Sequence, residues 1–112
     1  MKKIEAIIRT TQFSAVQDAL AEIGVRFFSL KEVRGYGLQR GEARMYRGAD
    51  LGPGFIPRLQ MDIVTKGDMV DEIIKTIERS AKTGEVGDGK IFVSDIAQAV
   101  RIRTGERDES AI

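Results

Sequence analysis

The stretch from Arg58 to Ile96, "RLQMDIVTKGDMVDEIIKTIERSAKTGEVGDGKIFVSDI", changes its hydrophobic period twice. Leu59, Met61 and Ile63 alternate with Arg58, Gln60 and Asp62, the period of two expected of a half-buried strand. In "GDMVDEIIKTIERSAKTG" the apolar residues Val70, Ile73, Ile74, Ile77 and Ala81 recur at helical spacing, and Asp68 is the expected N-cap, because a short side-chain oxygen can accept from the first turn's amides. "KIFVSDI" returns to strand composition. One stretch thus spells strand, helix, strand.

Working outward, the same order precedes it. In "KKIEAIIR" Ile4, Ala6 and Ile8 alternate with Glu5 and Ile7; "QFSAVQDALAEIG" then spaces Phe13, Val16, Leu20 and Ile23 as a helix that stops at Gly24. "VRFFSLKEVRGYG" is rich in β-branched and aromatic residues and predicts a second strand, and "QAVRIRTGE" predicts a short terminal one. Two such units predict an α+β fold, a ferredoxin-like double βαβ sandwich over residues 1–112, with both helices on one sheet face and the other face open. An uncovered face or strand edge predicts self-association.

Between the second and third strands lies "GLQRGEARMYRGADLGPGF", a glycine-rich loop over about residues 37–55. Structureless connections of that length are uncommon in compact domains and are usually functional or disordered.

Composition narrows the chemistry. The 112 residues hold 18 Lys plus Arg against 17 Asp plus Glu, so a net charge of +1 gives no electrostatic reason to expect direct nucleic-acid or membrane binding. There is no Cys and no His, which removes the thiolate nucleophile and the commonest general base and metal ligand. Glu5 interrupts what would be a signal peptide's apolar core, so a cytoplasmic protein is expected. A binding role is favoured over an enzyme.

"KTGEVGDGKIF", residues 82–92, has the glycine and lysine spacing of a phosphate-binding P-loop, but Ile91 stands where that motif needs Ser or Thr. A P-loop also runs from strand into helix, whereas this segment leaves a helix and enters a strand. "GYGLQRG" likewise lacks the dinucleotide fingerprint spacing. What remains is an ingredient list. Gly84, Gly87 and Gly89 permit a backbone anion nest, Lys90 adds a charge, and Arg101 and Arg103 lie two apart for paired phosphate contacts. A plain turn beside a solvated basic edge fits the same spacing.

"TGEVGDGKIFVSDIAQAVRIRTGE", with "YRGAD" in the long loop and "MKKIEAII" at the start, resembles the PII nitrogen-signalling proteins over nearly the whole chain. The resemblance implies a homotrimer with ATP or ADP in the clefts between subunits. It also implies a T-loop, here 37–55, that rearranges with the ligand, a phosphate loop at 82–90 and a C-terminal loop at 101–106. By position it assigns Gly87, Asp88, Gly89 and Lys90 to the phosphates, with Arg101 and Arg103 reaching them from the adjacent chain. Ile7, Ser29, Gly35, Gly37 and Val64 fall to the adenine and ribose pocket, and Gln39 to nucleotide, Mg²⁺ and 2-oxoglutarate. Tyr46 and Arg47 match the part of the loop that docks on a target such as an ammonium transporter or a nitrogen-metabolic enzyme; a membrane is met only through a channel partner. Without the resemblance, an ordinary solvated loop arginine is the favoured reading of Arg47.

The departures from the family pattern are specific. Leu38 replaces an Arg that contacts phosphate, Ser29 a Thr, Asp62 a Glu, and Arg58 the Lys that pairs with 2-oxoglutarate. Leu51 stands at the tyrosine that many relatives use as uridylylation acceptor, and Ala49 at a serine that some phosphorylate. The function implied is a non-enzymatic nitrogen and energy sensor. The alternatives are a slow ATP hydrolase using Lys90, Asp62 and Mg²⁺, or an atypical regulator of an unrelated transporter or enzyme.

Overall fold

Ile4, Ala6 and Ile8 alternate along the first strand, β1 (Lys2–Ile8), and all three are buried on the same face. The computed structural model describes residues 1–36, 45–46, 49–50 and 55–112, with residues 45, 46, 49 and 50 described by backbone alone. After β1 the order is α1 (Phe13–Glu22), β2 (Ser29–Tyr36), β3 (Met45–Tyr46), β4 (Ala49–Asp50), β5 (Phe55–Thr65), α2 (Val70–Ala81) and β6 (Gly89–Asp95). Strands β3 and β4 pair with each other; the main sheet runs β2-β5-β1-β6, every neighbour antiparallel. This is the ferredoxin-like arrangement that the two strand-helix-strand units predict.

Register explains the two faces. Ile4, Ala6 and Ile8 stand opposite Ile63, Met61 and Leu59 of β5, so six apolar side chains share the side on which Val16 and Leu20 of α1 and Ile73, Ile77 and Ala81 of α2 are buried. Each fully buried Ile, Leu or Met contributes about 1.5–3 kcal/mol. A one-residue slip would turn that whole set toward solvent, so the register is strongly specified. The open face carries Lys3, Glu5 and Ile7 of β1 against Val64, Asp62 and Gln60 of β5, and Lys90 and Phe92 of β6 beside Ile7 and Glu5. At its centre Gln60 Nε2 donates to Glu5 Oε1 (2.9 Å) and Asp62 Oδ1 (3.2 Å), and Asp62 lies 3.9 Å from both Lys3 and Lys31.

Helix α1 ends as the sequence predicts. Gly24 takes φ of +86°, and the amides of Gly24 and Val25 return to the carbonyls of Ala21 and Leu20 (3.0 and 2.9 Å), closing the last turn.

Four local expectations are corrected. Asp68 does not cap α2: it sits in a 3-10 turn, Gly67–Met69, that leads into the helix without a side-chain cap. Thr76, absent from the apolar stripe, is buried, because its hydroxyl donates to the Glu72 carbonyl one turn back (2.7 Å). The second strand starts at Ser29 and not at Val25. The terminal strand predicted over "QAVRIRTGE" reduces to a single bridge, Val100 to Arg107, around a turn in which Gly105 (φ +75°) donates to the Arg101 carbonyl (2.7 Å).

Candidate functional site

At one end of the open face an apolar-floored cavity of about 650 Å³ is lined by Ile7, Gly35, Ile56, Arg58, Lys90 and Phe92 from the sheet and by the loop residues Glu85 to Gly89. Its volume lies within the range of small-molecule sites, roughly 300–1,000 Å³. Two cations, Arg58 and Lys90, line it together. The topology makes it: β1 and β6 are neighbours, Ile7 is opposite Lys90 and Ile8 opposite Gly89, so the loop entering β6 folds over the end of β1.

Asp88 organises that loop from behind. Its Oδ2 accepts from the amides of Thr83 (2.9 Å) and Gly84 (3.0 Å), while its Oδ1 accepts from the Thr83 hydroxyl and from Arg9 Nε (3.1 Å). The Thr83 hydroxyl, then its amide, hold the Asp88 carboxyl well below the usual carboxylate range, against the opposing effect of burial, with Arg9 and the Gly84 amide adding to the lowering. Because the folded-state pKa is depressed, this contribution is in place above the ordinary carboxylate range and is lost only on strong acidification. Gly87 (φ +101°) and Gly89 (φ +108°) supply the left-handed conformations that turn the chain into β6.

The remaining candidates lie apart. Ser29 and Val64 are on the same open face but do not line the cavity. Six residues of strand separate Ser29 from Gly35 and Val64 from Arg58, roughly 20 Å in each case. Arg101 and Arg103 stand on the C-terminal turn, again outside this chain's cavity; Arg101 Nη1 is 2.8 Å from Glu106 Oε1, and Arg103 is exposed. Asp62 belongs to the Lys3, Lys31 and Gln60 cluster and not to the cavity that holds Lys90, so one chain does not bring together the pair that the hydrolase alternative requires.

The profile of the family described as nitrogen regulatory protein P-II matches residues 1–106. The chain is 48% identical over 112 residues, all of both chains, to nitrogen regulatory protein P-II 1 of Escherichia coli strain K12. The chain belongs to the P-II family. Its similarity extends to the P-II of Pasteurella multocida, 46% identical over the full length of both. A crystal structure of Arabidopsis thaliana PII bound to citrate superposes with a TM-score of 0.81 at 40% identity, covering 99% of this chain and 91% of that one. P-II proteins are nitrogen regulators, and this chain is a signal-transduction protein of that kind.

Of the P-II positions assigned from sequence, the structure brings Ile7, Gly35, Gly87, Asp88, Gly89 and Lys90 together around the cavity, with Arg58. Gly37, Leu38, Gln39, Arg47 and Leu51 lie outside the described residues, as do the side chains of Tyr46 and Ala49. Arg9 is the residue that sequence reasoning missed. The signal was topological: it follows β1 directly, and β1 pairs with the strand that the glycine loop enters. No described helix is long and apolar enough to cross a membrane.

Proposed function

We propose that this chain is a nitrogen and energy sensor that binds ATP or ADP between neighbouring copies in a homotrimer and acts on its target through the loop 37–55. The observation that carries this is the half-built cleft. Ile7 and Phe92 offer an apolar floor, Arg58 and Lys90 offer positive charge, and the glycine loop offers backbone, a combination suited to a ligand with a flat ring at one end and an anion at the other. Ser29, Val64, Arg101 and Arg103 stand outside this chain's cavity, and a cyclic head-to-tail assembly, in which one copy presents them to the next copy's cavity, would unite the assigned positions. The family resemblance supplies the number three. Citrate bound to the Arabidopsis relative is in keeping with anion recognition.

Titration calorimetry of ADP and of ATP, with native mass spectrometry of the same samples, tests it. Saturable binding to a trimer is expected; failure to bind either nucleotide, or equal binding by a monomer, overturns it.

Two expectations follow for signals. Arg58 gives 2-oxoglutarate a cation, but Gln39 adds no charge, so 2-oxoglutarate is expected to bind only together with Mg-ATP. Titration with and without Mg²⁺ checks this, and binding to the nucleotide-free protein would refute it. Uridylylation is not expected, because Leu51 presents a hydrocarbon where transfer needs a nucleophilic oxygen. Signalling then runs through ligand occupancy and loop conformation, with docking through Tyr46 and Arg47 on an ammonium transporter or nitrogen-metabolic enzyme. Intact-mass measurement of protein from its native cells, nitrogen-starved and ammonium-fed, decides it: a reversible uridylyl increment would sink the claim.

A further inference from the structure

Arg9 does not line the cavity. Its guanidinium turns to the back of the glycine loop, where Nε donates to Asp88 Oδ1 (3.1 Å) and Nη2 donates to the Val86 carbonyl (2.7 Å). The pair is largely shielded, with 21% and 26% of the two side chains exposed, so the contact is not a solvated surface ion pair of negligible value. Asp88 in turn holds the amides of Thr83 and Gly84, and the Glu85 amide donates to the Thr83 hydroxyl (3.2 Å). One arginine at the end of β1 therefore grips both the carboxylate that gathers the front of the loop and the carbonyl at its crest.

We propose that Arg9 and Asp88 form a clasp that fixes the backbone from Val86 to Gly89 in its anion-receiving shape, Arg9 acting as a positioning residue and not as a ligand contact. Two physical effects combine. The fork spans two points of the loop, so the chain is shaped before the ligand arrives and less ordering cost falls on binding. The guanidinium also neutralises Asp88, whose charge would otherwise repel a phosphate approaching the adjacent backbone. Thr83 and Gly84 direct their amides at Asp88, while Glu85 to Gly89 line the cavity. Asp88, assigned to the phosphates by family position, serves in this arrangement as the scaffold beneath them.

The inference rests on the nucleotide-binding function proposed above, and its test separates the two. Full-length protein and the variants Arg9→Ala, Arg9→Lys and Asp88→Asn are compared by hydrogen exchange of the peptide covering residues 82–89 without nucleotide, and by ADP titration. Circular dichroism confirms folding, and Arg9→Lys and Asp88→Asn keep the test alive if Arg9→Ala does not fold. Arg9→Ala is expected to speed exchange in that peptide about tenfold while β1 and α2 are unchanged, and to weaken ADP by a similar factor. Arg9→Lys, which keeps the charge but loses the fork, falls between. Adding Arg9→Ala to Asp88→Asn should weaken ADP by clearly less than the two single losses together, since the two residues share one contact although Arg9 also holds the Val86 carbonyl. Unchanged exchange, faster exchange with wild-type affinity, or additive losses in the double variant would each overturn the clasp. If wild-type protein binds no nucleotide, the proposed function fails, and the exchange measurement still decides whether the clasp holds the loop.

Discussion

Gly89→Ala should lower the melting temperature by roughly 10 °C or more, a larger loss than Gly84→Ala in the same loop. A Cβ built at Gly89 meets the Ile7 carbonyl oxygen at 1.7 Å and its carbon at 2.8 Å, and both belong to the backbone of a central strand. Neither can rotate away. To admit a methyl group the β1–β6 ladder must separate at the point where Ile8 faces Gly89, and overpacking of this kind costs about 1–3 kcal/mol. The φ of +108° adds about 1–3 kcal/mol for any residue with a side chain. Gly84→Ala is the internal control: its φ is +89°, but nothing lies within 4 Å of the added carbon, so it carries the conformational penalty alone. Thermal unfolding of both variants checks the account. A Gly89→Ala protein that melts beside wild type, or below Gly84→Ala by no margin, would show that the ladder yields more easily than its geometry indicates.

That glycine is also a measure of what the sequence discloses. Periodicity exposed the strands and helices because burial on one face leaves a repeating mark, and it placed Ile4, Ala6, Ile8, Leu59, Met61 and Ile63 on one face. It misread "QAVRIRTGE", where apolar alternation suggests a strand. There, local contacts prevail: the Arg101 amide meets the Glu106 carbonyl, Asp108 donates its amide to Ala99, and Gly105 supplies the bend. Asp68 failed as a cap for the same kind of reason, since a preceding 3-10 turn shifts the helix start beyond it. At the site, Gly87, Gly89 and Lys90 were visible as a local motif. Arg9 was not, because its partner lies 79 residues away and nothing periodic joins them. That Ser29, Val64, Arg101 and Arg103 fall outside the cavity was equally hidden, as it depends on how the strands and the C-terminal turn are placed in space.

Lys90→Ala and Arg103→Ala should each weaken adenine-nucleotide binding by roughly a factor of 10 to 100, about 1.5–3 kcal/mol for a lost charge-assisted contact. Lys90 lines the cavity of its own chain, whereas Arg103 is exposed on the C-terminal turn and does not line that cavity. In a head-to-tail ring the two belong to one site from different copies, which makes their defects complementary. Where a Lys90→Ala copy supplies the turn and an Arg103→Ala copy supplies the cavity, both wild-type side chains meet; in the reverse order neither is present. Each mixed trimer of the two variants should therefore contain one site of wild-type affinity, although neither parent has any. Subunits carrying different tags can be refolded together, the mixed species isolated on both tags, and ADP titrated into it. Recovery of one tight site per trimer requires a shared cleft. If every mixed species binds as weakly as its parents, the two residues do not act across a subunit boundary, and the inter-subunit site is wrong even if each chain binds nucleotide.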